Sequence, residues 1–243
     1  MLHFPVIGAR LKSCCRLLAL IVVIGAYLIG MPTPAMADAC ASHCYAYADW
    51  TVTPPSGFSG MEVSLRTNCM SVANNMTDFV TNEEWFVQGN YWVEAGITIG
   101  AKYGGGYLTR AEPYWADNRP GSGSYHEHYG FGAYTLQTYT SIIISKTVSS
   151  SQIDIYQDGS YLGSSTSNFT GAATTLLAGN ETTTTTAHTF GSVTAMQWRD
   201  LTNVWHTDWH SASGATLPTP DAPLYSMWMT QYSWMRSGAG AAC

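Results

Sequence analysis

Apolar and polar positions alternate with a period of two in a succession of short segments, each bounded by Gly, Asn, Asp or Ser. Alternation of that period, carried by Val, Ile, Thr, Tyr and Trp, predicts strands at 61–67, 85–88, 91–99, 124–129, 133–145, 152–157, 160–165, 183–189 and 192–199. Asp158-Gly159 falls between two of them and predicts a two-residue hairpin turn. The run of threonines at 182–186 reads as an edge or cleft-lining strand, because Thr suits a pleated surface. No helical periodicity marks the middle of the chain. Near the C-terminus Leu224, Trp228, Tyr232 and Met235 recur at helical spacing, and a strand alternation fits the same run. The pattern predicts an all-β protein: a two-sheet antiparallel β-sandwich of jelly-roll or concanavalin-like type. Its expected divisions are a sandwich over 61–210, a wrapping segment over 38–60, and a C-terminal loop and tail over 211–243 that packs on the sandwich.

The first 37 residues change the picture, because they do not read as part of that fold. Arg10, Lys12 and Arg16 precede an apolar run over 17–29, and Ala35-Met36-Ala37 offers a cleavage site, the pattern of a signal peptide. The expected product is secreted, extracellular and free of the membrane. Removal of 37 residues from 243 would leave 206, with seven Lys and Arg against sixteen Asp and Glu, a balance of −9. Such a chain has no basic footprint for nucleic acid. Cys40, Cys44, Cys69 and Cys243 remain, an even number that predicts two disulfides with three connectivities open.

Candidate chemistry lies first in "YWVEAGITIG" at 91–100. If that run is a strand, Trp92, Glu94, Gly96 and Thr98 share one face. Glu181, in "AGNETT", is a second carboxylate ahead of the threonine run. Two glutamates brought together on one face would share a proton, leaving one to activate water and the other to hydrogen-bond a developing oxyanion, with no metal or cofactor. Histidines give a rival reading: His126 and His128 in "YHEHY", with His206 and His210 in "WHTDWH", could hold a transition metal. The tryptophans give another, since Trp85, Trp92, Trp115, Trp198, Trp205 and Trp209 could form a platform for sugar rings. Asn75, Asn168 and Asn180 head Asn-x-Thr triplets of glycosylation type. A Gly-x-Ser-x-Gly elbow is absent, which disfavours Ser-His-Asp catalysis.

"WVEAGITIG", "EPYWADNRP" and "AGNET…HTFGSVTAM" together resemble the eqolisins, secreted acid glutamic peptidases built on a β-sandwich. On that resemblance Glu94 falls where the family has its catalytic glutamine, and Glu181 is the counterpart of its catalytic glutamate. Trp115 and Pro120 match an aromatic-acidic segment, with Asp117 at its acidic position, and Phe190-Gly191 matches the last strand. Neprosin-like glutamic peptidases use a Glu/Glu pair. The resemblance therefore implies a monomeric acid endopeptidase acting on polypeptides with a Glu94/Glu181 dyad, and with Trp92, Trp115 and Asp117 lining the substrate cleft. The alternative is a non-catalytic module that binds an extracellular polysaccharide.

Overall fold

The computed structural model describes residues 42–119, 125–147, 149–166, 171–209 and 214–240, all within the unit Ala37–Cys243. The expected signal peptide, Cys40, Pro120, Asn168, His210 and Cys243 lie outside the described residues. The described residues form fourteen strands: β1 (Cys44–Thr51), β2 (Gly60–Ser71), β3 (Phe79–Gln88), β4 (Tyr91–Ala101), β5 (Tyr107–Asn118), β6 (Tyr125–His128), β7 (Tyr139–Lys146), β8 (Ile153–Gln157), β9 (Ser160–Ser165), β10 (Thr175–Thr182), β11 (His188–Arg199), β12 (Trp205–His206), β13 (Leu224–Thr230) and β14 (Trp234–Ala239). A six-stranded sheet runs β1-β10-β3-β4-β5-β6, and an eight-stranded sheet runs β13-β14-β11-β2-β7-β8-β9 with β12 on β11. All pairings are antiparallel. The fold is thus the two-sheet sandwich that the alternation predicts.

Period-two alternation builds the core. Met61, Val63 and Leu65 of β2, Ile142 and Ile144 of β7, Ile153 and Ile155 of β8 and Val193 of β11 point inward from the larger sheet. Trp50, Phe86, Val93, Ala95, Trp115, Leu176 and Ala178 meet them from the six-stranded sheet. Each large side chain so buried stabilises the fold by about 1.5–3 kcal/mol. The intervening residues of the six-stranded sheet are left on its outer face. Asp158 and Gly159 both have positive φ, 48° and 76°, which gives the β8–β9 hairpin the primed turn that its sequence predicts.

Three expectations are corrected. Residues 44–51 do not wrap the sandwich; they form β1, an edge strand of the six-stranded sheet. Its outer edge is covered by the chain returning near the C-terminus, through Asp49 N–H to Thr216 O at 2.9 Å and Asp221 N–H to Tyr45 O at 2.9 Å, so few of its polar groups stay open to another chain. Residues 224–239 are not a tail but β13 and β14, integral to the larger sheet. The strand expected at 183–189 lies earlier, at β10, which ends at Thr182. β5 carries Pro113, a residue usually barred from sheet interiors, at a place where β6 does not reach: β6 pairs only with residues Trp115 to Asn118.

Cys44 and Cys69 are each in a disulfide.

Candidate active site

The strand registers bring the acidic residues together on the outer face of the six-stranded sheet. Glu94 on β4 is opposite Trp85 on β3 and Ala116 on β5. Glu181 on β10 is opposite Tyr45 on β1. Between those two rows lies a third, in which Glu83 on β3 is flanked by Gly96 and Gly179. Residues directly opposite one another project to the same face, so all three carboxylates share it. A cleft of about 1010 Å³ opens above them, lined among others by His43, Tyr45, Trp85, Trp92, Glu94, Tyr125 and Glu181.

β10 is held in place by a side chain of opposite parity. Asn180, fully buried between the sheets, donates through Nδ2 to the Thr81 carbonyl at 2.5 Å and accepts from the Ser237 hydroxyl of β14. Glu181 is thereby turned outward. Its backbone N–H donates to Thr81 Oγ1 at 3.1 Å, and its carboxylate contacts His43 Nδ1. That bond to Glu181 raises the pKa of His43 against the opposing effect of partial burial. Asn180 itself is inaccessible, so its glycosylation-type triplet cannot serve in the folded chain.

Glu94 is 4% exposed, and both of its oxygens are engaged. Trp92 Nε1 donates to Oε2 at 2.9 Å and the Tyr125 hydroxyl lies 2.7 Å from Oε1. The same hydroxyl lies 3.0 Å from Oε1 of Glu127. A phenol has one proton to give, so the Tyr125 hydroxyl donates to the two carboxylates in turn. Glu127 already accepts from the Tyr129 hydroxyl and from the Tyr103 N–H at 2.6 Å. Burial first, and the Glu181 charge second, push the pKa of Glu94 up to about 8, although the Tyr125 and Trp92 bonds pull the other way. Tyrosine and tryptophan wall the cleft, with Tyr45 and Tyr47 edge-on to Trp85 at 6.5 and 6.3 Å, and Tyr103 edge-on to Tyr125 at 5.1 Å.

Of the side chains expected to line the cleft, Glu94, Glu181 and Trp92 do so. Trp115 and Asp117 do not. Both face the opposite sheet: Trp115 is in the core, stacked on His128 with 3.7 Å between ring centroids, and Asp117 accepts from Arg119 Nε at 2.8 Å and from the Ser165 hydroxyl. The reason is parity, since Ala116 holds the outward position on β5. The six tryptophans are likewise dispersed, with Trp85 and Trp92 in the cleft, Trp115 and Trp209 in the core, and Trp198 and Trp205 on the larger sheet. The histidines are separated too. His126 and His128 are on β6, whereas His206 pairs with Asp200 at 2.9 Å and stacks on Trp198. Among the described residues no three His, Cys, Asp or Glu side chains form a metal-binding group. Sequence reasoning missed Glu83, His43, Tyr125 and Glu127. The signal for Glu83 was present, because "TNEEWF" extends the alternation of β3 and gives Glu83 the parity of Trp85.

No family model matches the chain, and none of the curated proteins matches it. Among solved structures, scytalido-glutamic peptidase in complex with a peptide-based transition-state analogue superposes with a TM-score of 0.56 at 8% identity, over 82% of this chain and 99% of that one. SCP-B, a member of the eqolisin family in complex with the tripeptide Ala-Ile-His, gives a TM-score of 0.50 at 9% identity, over 82% and 99%. The chain thus shares its fold with eqolisin peptidases.

Proposed function

We propose that the protein is a secreted acid endopeptidase of glutamic type, in which Glu181 and Glu94 act on a polypeptide laid in the cleft. The observation that carries this reading is the placement of Glu94, held by Trp92 and Tyr125, on the same cleft as Glu181. Glu181 removes a proton from water as the water oxygen bonds to the scissile carbonyl carbon, and the C=O electron pair moves onto oxygen. The Glu94 hydroxyl hydrogen-bonds that oxyanion. When the C–N bond breaks, its electron pair goes to nitrogen, which takes the proton held by Glu181. His43 rests against Glu181 and fixes the orientation of its carboxylate. The shared fold with eqolisins supports this reading, as does the placement of Glu94 and Glu181 on one cleft. Secretion follows from the signal-like leader, and the disulfide state of Cys44 and Cys69 agrees with an oxidising compartment.

The test is cleavage of denatured protein by the mature chain from pH 2 to 7. Replacing Glu181 or Glu94 by Gln is expected to lower kcat/KM about 10²–10⁴-fold. Unchanged cleavage by the Glu181→Gln variant would sink the assignment. The aromatic walls favour a second reading, a polysaccharide-binding cleft, in which retention on polysaccharide survives both Gln substitutions and is lost in Trp92→Ala.

A further inference from the structure

Three of the six tryptophans come together at a second cavity, of about 580 Å³, lined by Trp198, Trp205 and Trp209 together with Asp208 and the β13–β14 turn at Gln231 and Tyr232. It shares no lining residue with the cleft that holds Glu94 and Glu181. Its volume falls within the range of about 300–1,000 Å³ that small-molecule sites occupy.

The tryptophan nearest to solvent is fixed in place. Trp205 is 38% exposed, and the Arg199 guanidinium lies 5.5 Å from its ring centroid. That guanidinium is itself held, donating through Nη2 to the Ser59 and Lys146 carbonyls at 2.8 and 2.7 Å and through Nε to the Ser59 hydroxyl at 3.0 Å. Gly60 makes room for both side chains, since a Cβ there would come within 3.3 Å of Arg199 Nε and of Trp205 Cη2. The loop ahead of β12 is fastened by Asp200, which accepts from the Thr202 and Val204 N–H groups at 2.8 and 3.0 Å and pairs with His206. On the far side, Trp209 N–H donates to the Tyr232 carbonyl at 2.9 Å and ties the loop to the β13–β14 turn. An indole left this open contributes little to the core, yet it is ordered in advance of any ligand, which lowers the entropy that binding costs.

The surroundings select the ligand. The Thr207 hydroxyl, the Asp208 carboxylate and the Gln231 amide stand exposed around the cavity, and the first two make no hydrogen bond among the described residues. Such a rim suits groups that both donate and accept. An organic cation is disfavoured by the Arg199 charge already placed over the ring, and His206 covers a face of Trp198 with 4.2 Å between centroids, so the rings do not form a cage. An anion is disfavoured by Asp208 and by the net charge of −6. A pyranose has what remains, an apolar face to lie on the indole and neutral hydroxyls at its edge. We propose that this cavity binds a hexopyranose unit of a neutral polysaccharide, with the sugar ring against the exposed surface of Trp205 and its hydroxyls bonded to Thr207, Asp208 and Gln231.

The test is affinity electrophoresis of the mature chain through gels that contain soluble starch, laminarin, galactomannan or xylan, with alginate as the acidic reference. Retardation by at least one of the four neutral polymers is expected, with affinity lowered at least about tenfold in Trp205→Ala and in Asp208→Gly and unchanged in Trp92→Ala. Glycine accepts the φ of 58° at position 208, so the second variant gives the answer even where the first fails to fold. No retardation in any neutral gel, retardation by alginate alone, or retardation that both variants keep would overturn the proposal. Loss in Trp92→Ala alone would place the sugar in the cleft and overturn it as well. Peptide cleavage enters none of these outcomes, so the expected pattern in a protein that cleaves nothing would leave this site standing and remove the peptidase reading.

Discussion

Glu83 and Glu84 are adjacent in the chain, both fully buried, and held by the same strand. Glu83 lies on the cleft side of the sheet, where Thr81 donates to it and Glu94 and Glu181 are its diagonal neighbours. Glu84 faces the sandwich interior between Ala178 and Ala95, and neither of its oxygens has a hydrogen-bond partner among the described residues. Burial raises the pKa of both well above the ordinary carboxylate value, with the Glu62 charge adding to it for Glu84. The difference is that on the outer face the buried acid lies among groups that line the cleft, whereas on the inner face it lies between alanines and away from the cleft. Desolvation alone therefore does not mark a functional carboxyl; its neighbours do.

The contrast between the faces can be broken most strongly at tryptophan. Trp115→Ala, on the inner face, is expected to destabilise the fold by about 3–5 kcal/mol in denaturant unfolding, while Trp92→Ala, on the outer face, leaves stability nearly unchanged and weakens ligand retention in the cleft. Equal losses of stability from both would mean that the faces are not distinct. A smaller effect concerns pH. Glu83, Glu84 and Glu94 have folded pKa values raised above the unfolded ones, so their contribution is fully present at acid pH and is lost as pH rises through the folded values, about 8 for Glu94. Melting temperature should fall as pH rises, and Glu84→Gln should flatten that fall at its alkaline end without altering acid stability. A variant that tracks wild type at every pH would show that Glu84 is not a buried acid. The smallest change is Tyr125→Phe. The tyrosine bond lowers the pKa of Glu94, so its loss should raise the Glu94 infrared midpoint by up to about one unit.

Alternation made much of this legible. β4, β8 and β9 are found within two residues of where the period-two pattern puts them, and Asp158-Gly159 predicts its turn because a two-residue hairpin needs positive φ at both positions. The face of Glu94 was readable for the same reason. β5 was hidden by Pro113, Arg110 and Glu112, tolerated because β6 covers only its far end. β10 was hidden by Gly179 and Asn180, which are poor strand residues retained for close packing and for anchoring. Trp115 and Asp117 were placed in the cleft by resemblance to a motif, and the register turned them inward. Glu83 was passed over because the strand was begun at residue 85 instead of 79.

The Asn180 anchor gives the chemistry an all-or-none dependence on parity. A strand has two faces, so moving β10 by one residue would carry Asn180 into the cleft and the Glu181 carboxylate into the apolar interior. Insertions of two residues ahead of β10 can in principle be absorbed with every side chain still on its proper face, whereas an insertion of one cannot unless the loop takes it up. The bonds from Asn180 to Thr81 and Ser237 oppose such a slip from both sheets at once. What descent must preserve here is less the number of a residue in the chain than whether that number is odd or even relative to its anchor.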